Sequence, residues 1–164
     1  MKLADIKKIY VKKDKMHNFN HILRIKRKII ILKRPYKNIN LDLLNFLILF
    51  HGLKDYVKKN KNKFRKEYVS SLLRHSRTPK KLEEKLVFDA NMLDNTGRAG
   101  IKKAMNYGKA LGRSEKETMK YIKNNLHKVR FYTIEGRKIG RKRIEIMKKF
   151  VLKTKSSIFP SASP

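Results

Sequence analysis

The sequence predicts an all-α fold, and three observations carry that expectation. Apolar residues recur every three or four positions along most of the chain, which is the spacing of one helix face. Helix-boundary signals punctuate these runs: Pro35, Thr78-Pro79, and Ser114 with Glu117 three residues on. No segment alternates apolar and polar residues as a half-buried strand does.

The elements follow in order. Residues 1 to 16 are lysine-rich, with only Leu3, Ile6, Ile9, Tyr10 and Val11 to pack, and read as a basic N-terminal arm or short helix. Phe19, Ile22, Ile25, Ile29 and Leu32 mark one helix face, with Arg24, Lys26, Arg27 and Lys28 between them, and Pro35 closes that helix. Leu41 to Tyr56 is the most apolar segment and reads as a central helix running through His51-Gly52. A cationic connection (Lys58, Lys59, Lys61, Lys63, Arg65, Lys66) precedes a short helix with Tyr68, Val69, Leu72 and Leu73. Thr78 and Pro79 open the next helix, as cap and first turn. A helix follows Gly97 to about Leu111, and the capping box at Ser114 starts another with Met119, Ile122, Leu126 and Val129. The last begins near Glu135 and turns Ile139, Ile146 and Phe150 inward. The organisation expected is an arm over 1–16, one helical domain over 17–155, and a flexible tail over 156–164.

Forty-four Lys and Arg against thirteen Asp and Glu give a net charge of +31. Charge on that scale repels itself in isolation and points to a polyanion, while 40% hydrophobic residues in helical register exclude a disordered basic tail. The absence of cysteine excludes disulfides and thiolate metal sites. Leu41 to Leu53 is too short and too polar to span a bilayer, and the N-terminus lacks an apolar signal core. No membrane partner is expected, and the location expected is the cytoplasm or an organellar matrix.

Against this background, Phe88 to Ile101 stands out. Leu82 to Gly97 holds four acids against one lysine, and Asp89 lies on a helix face shared with Leu82, Leu86 and Leu93. Asn91 and Asp94 lie three apart, so they can face one side. The same residues suit a polar site or a helix ending in turn formers.

Taken with two earlier segments, this stretch resembles the HD-domain superfamily, the all-helical metal-dependent phosphohydrolases. His17-Asn18-Phe19-Asn20-His21-Ile22 is similar to the first element, with His21 in the place of a metal histidine. Leu47-Ile48-Leu49-Phe50-His51-Gly52 resembles the helix that ends in the family's His-Asp doublet. Asp89-Ala90-Asn91-Met92-Leu93-Asp94, followed by Gly97-Arg98-Ala99-Gly100-Ile101, resembles the later aspartate segment and its glycine turn. Phe131 to Arg137, with Arg143 and Phe150, resembles the final helix. The resemblance implies a single HD-like bundle over about residues 14 to 155.

The departures fall on the chemistry. Gly52 stands where the doublet has its aspartate, and Asn91 where the later metal aspartate sits. The segment between His51 and His75 is also shorter than the family's. Of the four implied ligands only His21 and His51 remain, and neither glycine nor a neutral amide replaces a carboxylate on a hard dication. Asp55 is one helical turn from His51, and Asp89 points about 200° away from Asn91. His17, His75 and His127 read as surface or core histidines.

The expectation is therefore a non-enzyme, an HD-fold pseudoenzyme without cofactor or metal. His21, His51 and Asn91 would be relic positions, and the chain would bind RNA. The partner expected is rRNA within a ribonucleoprotein, alongside ribosomal proteins. The phosphate-binding candidates are Lys26, Arg27, Lys28, Lys58, Lys59, Lys61, Lys63, Arg65, Arg137, Lys138, Arg141, Lys142 and Arg143. Tyr10, Tyr36, Tyr107, Tyr121, Phe131 and Tyr132 are interleaved aromatics able to stack on bases. The alternative is an active metal-dependent phosphohydrolase acting on a nucleotide or nucleic acid.

Overall fold

A computed structural model describes residues 3–11 and 18–156, with side chains to Leu152. His17, the segment 12–16 of the expected arm, and the tail beyond Ser156 lie outside the described residues. Among those described, the chain is helical throughout, without strands. The helices are α1 (Leu3–Val11), α2 (Phe19–Leu32), α3 (Leu41–Phe50), α4 (Lys54–Lys59), α5 (Lys66–Arg74), α6 (Leu82–Asp94), α7 (Gly97–Ala110), α8 (Glu115–Leu126) and α9 (Ile134–Ser156). A single 3₁₀ turn, Lys61–Lys63, joins α4 to α5. None of these helices is long and apolar enough to cross a membrane.

The chain divides into two compact units, Met1–Asn91 and Met92–Pro164. In the first, α2 turns Ile22, Ile25, Ile29 and Leu32 inward, and α3 contributes Leu43, Leu44, Leu47 and Ile48. Asn40 caps α3 by accepting from the Leu43 N–H at 2.9 Å, while its own N–H donates to Glu83 at 2.8 Å. Beside this core, Phe46 packs on Phe50, Phe64 and Tyr68 at 4.8–5.6 Å between ring centres. The expected central helix breaks at His51-Gly52 and resumes as α4. The helix expected at Thr78-Pro79 starts later, at Leu82, because the Glu84 carboxylate accepts from the Lys80 N–H (2.7 Å) and holds that backbone out of helical register.

In the second unit α7, α8 and α9 pack on one another around Ile101, Ile122, Met147 and Val151. The expected anchor Ile146 is 38% exposed, and the buried face of α9 is shifted by one residue to Met147. The capping box at Ser114 and Glu117 is present in both directions.

The glycine turn has a steric cause. Gly97 is left-handed (φ 69°), a region that costs a side-chain-bearing residue about 1–2 kcal/mol. A Cβ on Gly100 would lie 2.3 Å from the Asn95 carbonyl oxygen, a backbone atom held by the turn itself. Gly100→Ala is expected to destabilise the protein by about 2 kcal/mol, read as an earlier denaturant midpoint at unchanged slope. An unchanged midpoint would show that the turn can open.

Candidate active site

The site is built at helix ends within the first unit. His51 follows the last residue of α3 and keeps some solvent exposure. His75 caps the end of α5, its N–H bonded to the Ser71 carbonyl at 2.9 Å, and is fully buried. His21 lies in the first turn of α2, 3% exposed, behind the Asn18 cap. The His21 and His51 rings are 5.5 Å apart between centres, and the His51 and His75 rings 5.0 Å. Asn91, on α6, hydrogen-bonds the His51 ring.

The bonds assign the proton positions. His75 Nδ1 lies 2.5 Å from the Leu72 carbonyl, which can only accept, so Nδ1 carries the hydrogen. In the neutral ring His75 Nε2 is then the acceptor, and it lies 2.8 Å from His51 Nδ1, which must donate. His51 Nε2 then carries the ring's lone pair and is the nitrogen that faces Asn91. The result is a directed chain, His51 Nδ1–H to His75 Nε2 and His75 Nδ1–H to Leu72, that fixes the tautomer and orientation of His51.

Electrostatics keep the pair neutral. Burial lowers the His51 pKa well below the ordinary imidazole range, and the charges of His75, His21 and Lys54 act in the same direction. Burial, helped by Lys54, brings His75 down to about 4. Lys54 itself is lowered by burial and by the neighbouring Arg77 and Lys58, and its Nζ lies 2.5 Å from Ser76 Oγ. Lys54 thus stands beside two neutral imidazoles, with Arg77 and Lys58 near it and Asp55 offsetting part of their charge, an arrangement that an entering anion relieves.

A buried ion pair braces this rim. The Arg74 guanidinium donates twice to Glu84, with Nε at 3.0 Å and Nη2 on the other oxygen. Burial raises the Glu84 pKa, but the bonds from Arg74, the Lys80 N–H and Ser71 outweigh it and leave the carboxyl below its ordinary value. On the far side of Gly52, the Tyr10 hydroxyl accepts from the Gly52 N–H (3.2 Å) and donates to the Leu49 carbonyl (2.9 Å). Burial pushes that hydroxyl's pKa up, and the Gly52 contact opposes the shift.

Of the sequence-derived positions, His21, His51 and Asn91 come together. His75, which in sequence reads as a surface or core histidine, joins them through its bond to His51. Its signal was the Arg74-His75 doublet at a helix end, whose arginine engages Glu84. Asp89 is fully buried and Asp55 exposed, and Asp94 accepts from Lys103 at 3.0 Å.

The cationic candidates scatter over the surface. Lys26 and Arg27 are exposed on α2, with Lys28 half-buried, and Lys58, Lys59, Lys61, Lys63 and Arg65 are exposed around the 3₁₀ turn. Arg137, Lys138, Arg141 and Lys142 are exposed on α9, with Arg137 donating to the Tyr132 carbonyl at 2.7 Å. Arg143 is half-buried, and its Nη1 donates to the Leu93 (2.9 Å) and Thr96 (3.1 Å) carbonyls at the end of α6. That guanidinium closes a helix end.

No family model matches the chain, and no curated protein matches it in sequence. Solved structures do match it in fold. Bacillus subtilis YpgQ superposes with a TM-score of 0.68 at 18% identity, covering 98% of this chain and 96% of its own. A predicted HD superfamily hydrolase from an uncultured Thermotogales bacterium superposes with a TM-score of 0.56 at 19% identity, covering 94% and 92%. This chain has the HD-domain fold. YpgQ has also been solved in complex with ADP, and that structure matches with a TM-score of 0.67 at 19% identity over 94% of this chain and 92% of the other.

These HD-fold neighbours correct the expectation of a non-enzyme. They include a predicted HD superfamily hydrolase and a structure solved with ADP, so this fold does not by itself indicate a non-enzyme. The donors at the family's positions do not include His75, which joins His51 in the fold. Loss of two carboxylates changes the chemistry of the centre without establishing that catalysis is lost. The HD fold also implies a metal, which these residues do not fit as arranged. His75 Nε2 is engaged by His51, and among the described residues no three His, Cys, Asp or Glu side chains are placed to hold an ion.

Proposed function

We propose that this chain is a phosphohydrolase acting on phosphoesters of nucleotides or nucleic acids, with His51 as its general base. The observation that carries the reading is the directed His51–His75 pair, which places the acceptor nitrogen of a neutral imidazole, with Asn91 hydrogen-bonded to the same ring, beside Lys54 and its neighbours Lys58 and Arg77. A phosphate oxygen held by those cations brings phosphorus near His51. Water then attacks: a new P–O bond forms, the ester P–O bond breaks, the water's proton passes to His51 Nε2, and the leaving oxygen takes a proton from solvent. The ADP complex of an HD-fold relative supports a nucleotide moiety in the substrate.

Phosphate release from a nucleoside monophosphate and from a 5′-phosphorylated oligouridine tests this. General-base catalysis contributes about 10²–10⁴-fold, so His51→Gln is expected to lower turnover by about 100-fold or more. His75→Gln should lose less and move the acid limb of the pH profile. Equal turnover by wild type and His51→Gln would sink the assignment. A second reading, a structural RNA-binding module in a ribonucleoprotein, is favoured by the +31 charge. Co-sedimentation with ribosomal subunits that survives high salt would support it.

A further inference from the structure

One exposed aromatic on the second unit lies outside the histidine site and its chemistry. Tyr121, on α8, is 50% exposed, and the Arg113 guanidinium lies 5.3 Å from its ring centre. The pair sits on fixed backbone. Gly112 is left-handed (φ 70°), with its N–H bonded to the Lys109 carbonyl and the Arg113 N–H bonded to the Gly108 carbonyl at 2.9 Å, which is a Schellman stop. One residue later the Ser114–Glu117 capping box begins α8. Arg113 is therefore held between a helix stop and a helix start. Gly108 meets Thr118 so closely that a Cβ there would lie 2.1 Å from Thr118 Oγ1, which locks α7 against α8 one turn before Tyr121.

Exposed cations surround the pair, with Lys109 before the turn and Lys116, Lys120 and Lys123 along α8. Both acids nearby, Glu115 and Glu117, are exposed, and Glu117 is turned onto Ser114 at 2.8 Å. The other sequence-predicted aromatics offer less. Tyr10 is buried, and Tyr36, Phe131 and Tyr132 are half-buried. Tyr107 is 45% exposed, on α7 just before Gly108.

We propose that Tyr121 and Arg113 form a stacking platform for the unpaired bases of a single-stranded nucleic acid, with Lys109, Lys116, Lys120 and Lys123 receiving its phosphates. A rigid ring beside a planar guanidinium extends a base stack, and stacking tolerates any base because each presents a π-face. Duplexes offer no such face. The assignment stands independently of hydrolysis at His51, because it is read by binding alone.

Fluorescence anisotropy with a labelled oligouridine and an abasic oligomer of equal length and charge tests it on the full chain. Tyr121→Leu is expected to lose about tenfold in affinity for oligouridine while its affinity for the abasic oligomer stays unchanged, and Tyr121→Phe to bind both as wild type does. Arg113→Gln, altered at an exposed side chain, should reduce the preference for oligouridine over the abasic strand even if Tyr121→Leu folds poorly. Equal losses on both strands, or none on either, would overturn the platform.

Discussion

Acidification from neutral pH to pH 4 is expected to remove about 3 kcal/mol of stability through His75 alone. In the unfolded chain this imidazole protonates near its ordinary 6.5, and in the fold only at about 4. Between those values the unfolded state binds more protons than the native state, so stability rises with pH across the window. The contribution is complete above 6.5 and is lost progressively as pH falls through the folded pKa. His51, depressed in the same direction, adds to the loss. Glu84 acts lower: its depressed pKa supplies stability above the ordinary carboxylate value of 4.5, lost as pH falls further. Denaturation midpoints across pH 4 to 7 measure this, and His75→Gln should flatten the slope between 4 and 6.5. An equally steep slope in that variant would place the acid sensitivity elsewhere.

Arg74→Ala is expected to cost about 3–5 kcal/mol, because it leaves the Glu84 carboxylate buried without its bidentate partner. The Glu84 side chain is fully buried, whereas that of Arg74 is 27% exposed. The damage should reach the site, since Arg74 immediately precedes His75 and the pair ties α5 to α6. Adding Glu84→Leu should recover much of the loss, because the penalty is the unpaired charge more than the missing attraction. Single and double variants with equal midpoints would show that the carboxylate finds water or another cation.

The fold was legible where periodicity and boundary residues agree. The α2 stripe, the Ser114 capping box and the α7 start at Gly97 all follow from local chemistry. The break at His51-Gly52 was masked by the continuous apolar run from Leu41 to Leu53. The late start of α6 depends on Glu84 reaching back to the Lys80 N–H, which spacing does not reveal. At the site, His21, His51 and Asn91 could be placed by resemblance, but the role of His75 could not. A histidine at the end of an apolar helix reads as core until a tertiary contact supplies its partner, here His51 from another helix. Charge likewise identified Arg143 only as a cation, whereas its carbonyl partners are distant in sequence.

The Tyr10 bond has a consequence for local opening. Tyr10 and Gly52 are 42 residues apart. Closing a loop of that length carries an entropic cost that grows with the logarithm of its length, and the packing of α2 on α3 and of α1 on α2 shares in offsetting it. The backbone beside His51 is therefore tied to a short helix that also packs on α2, where the Tyr10 and Phe19 rings lie 5.8 Å apart between centres. The amide of Gly52 should exchange its hydrogen at the rate at which that first helix leaves.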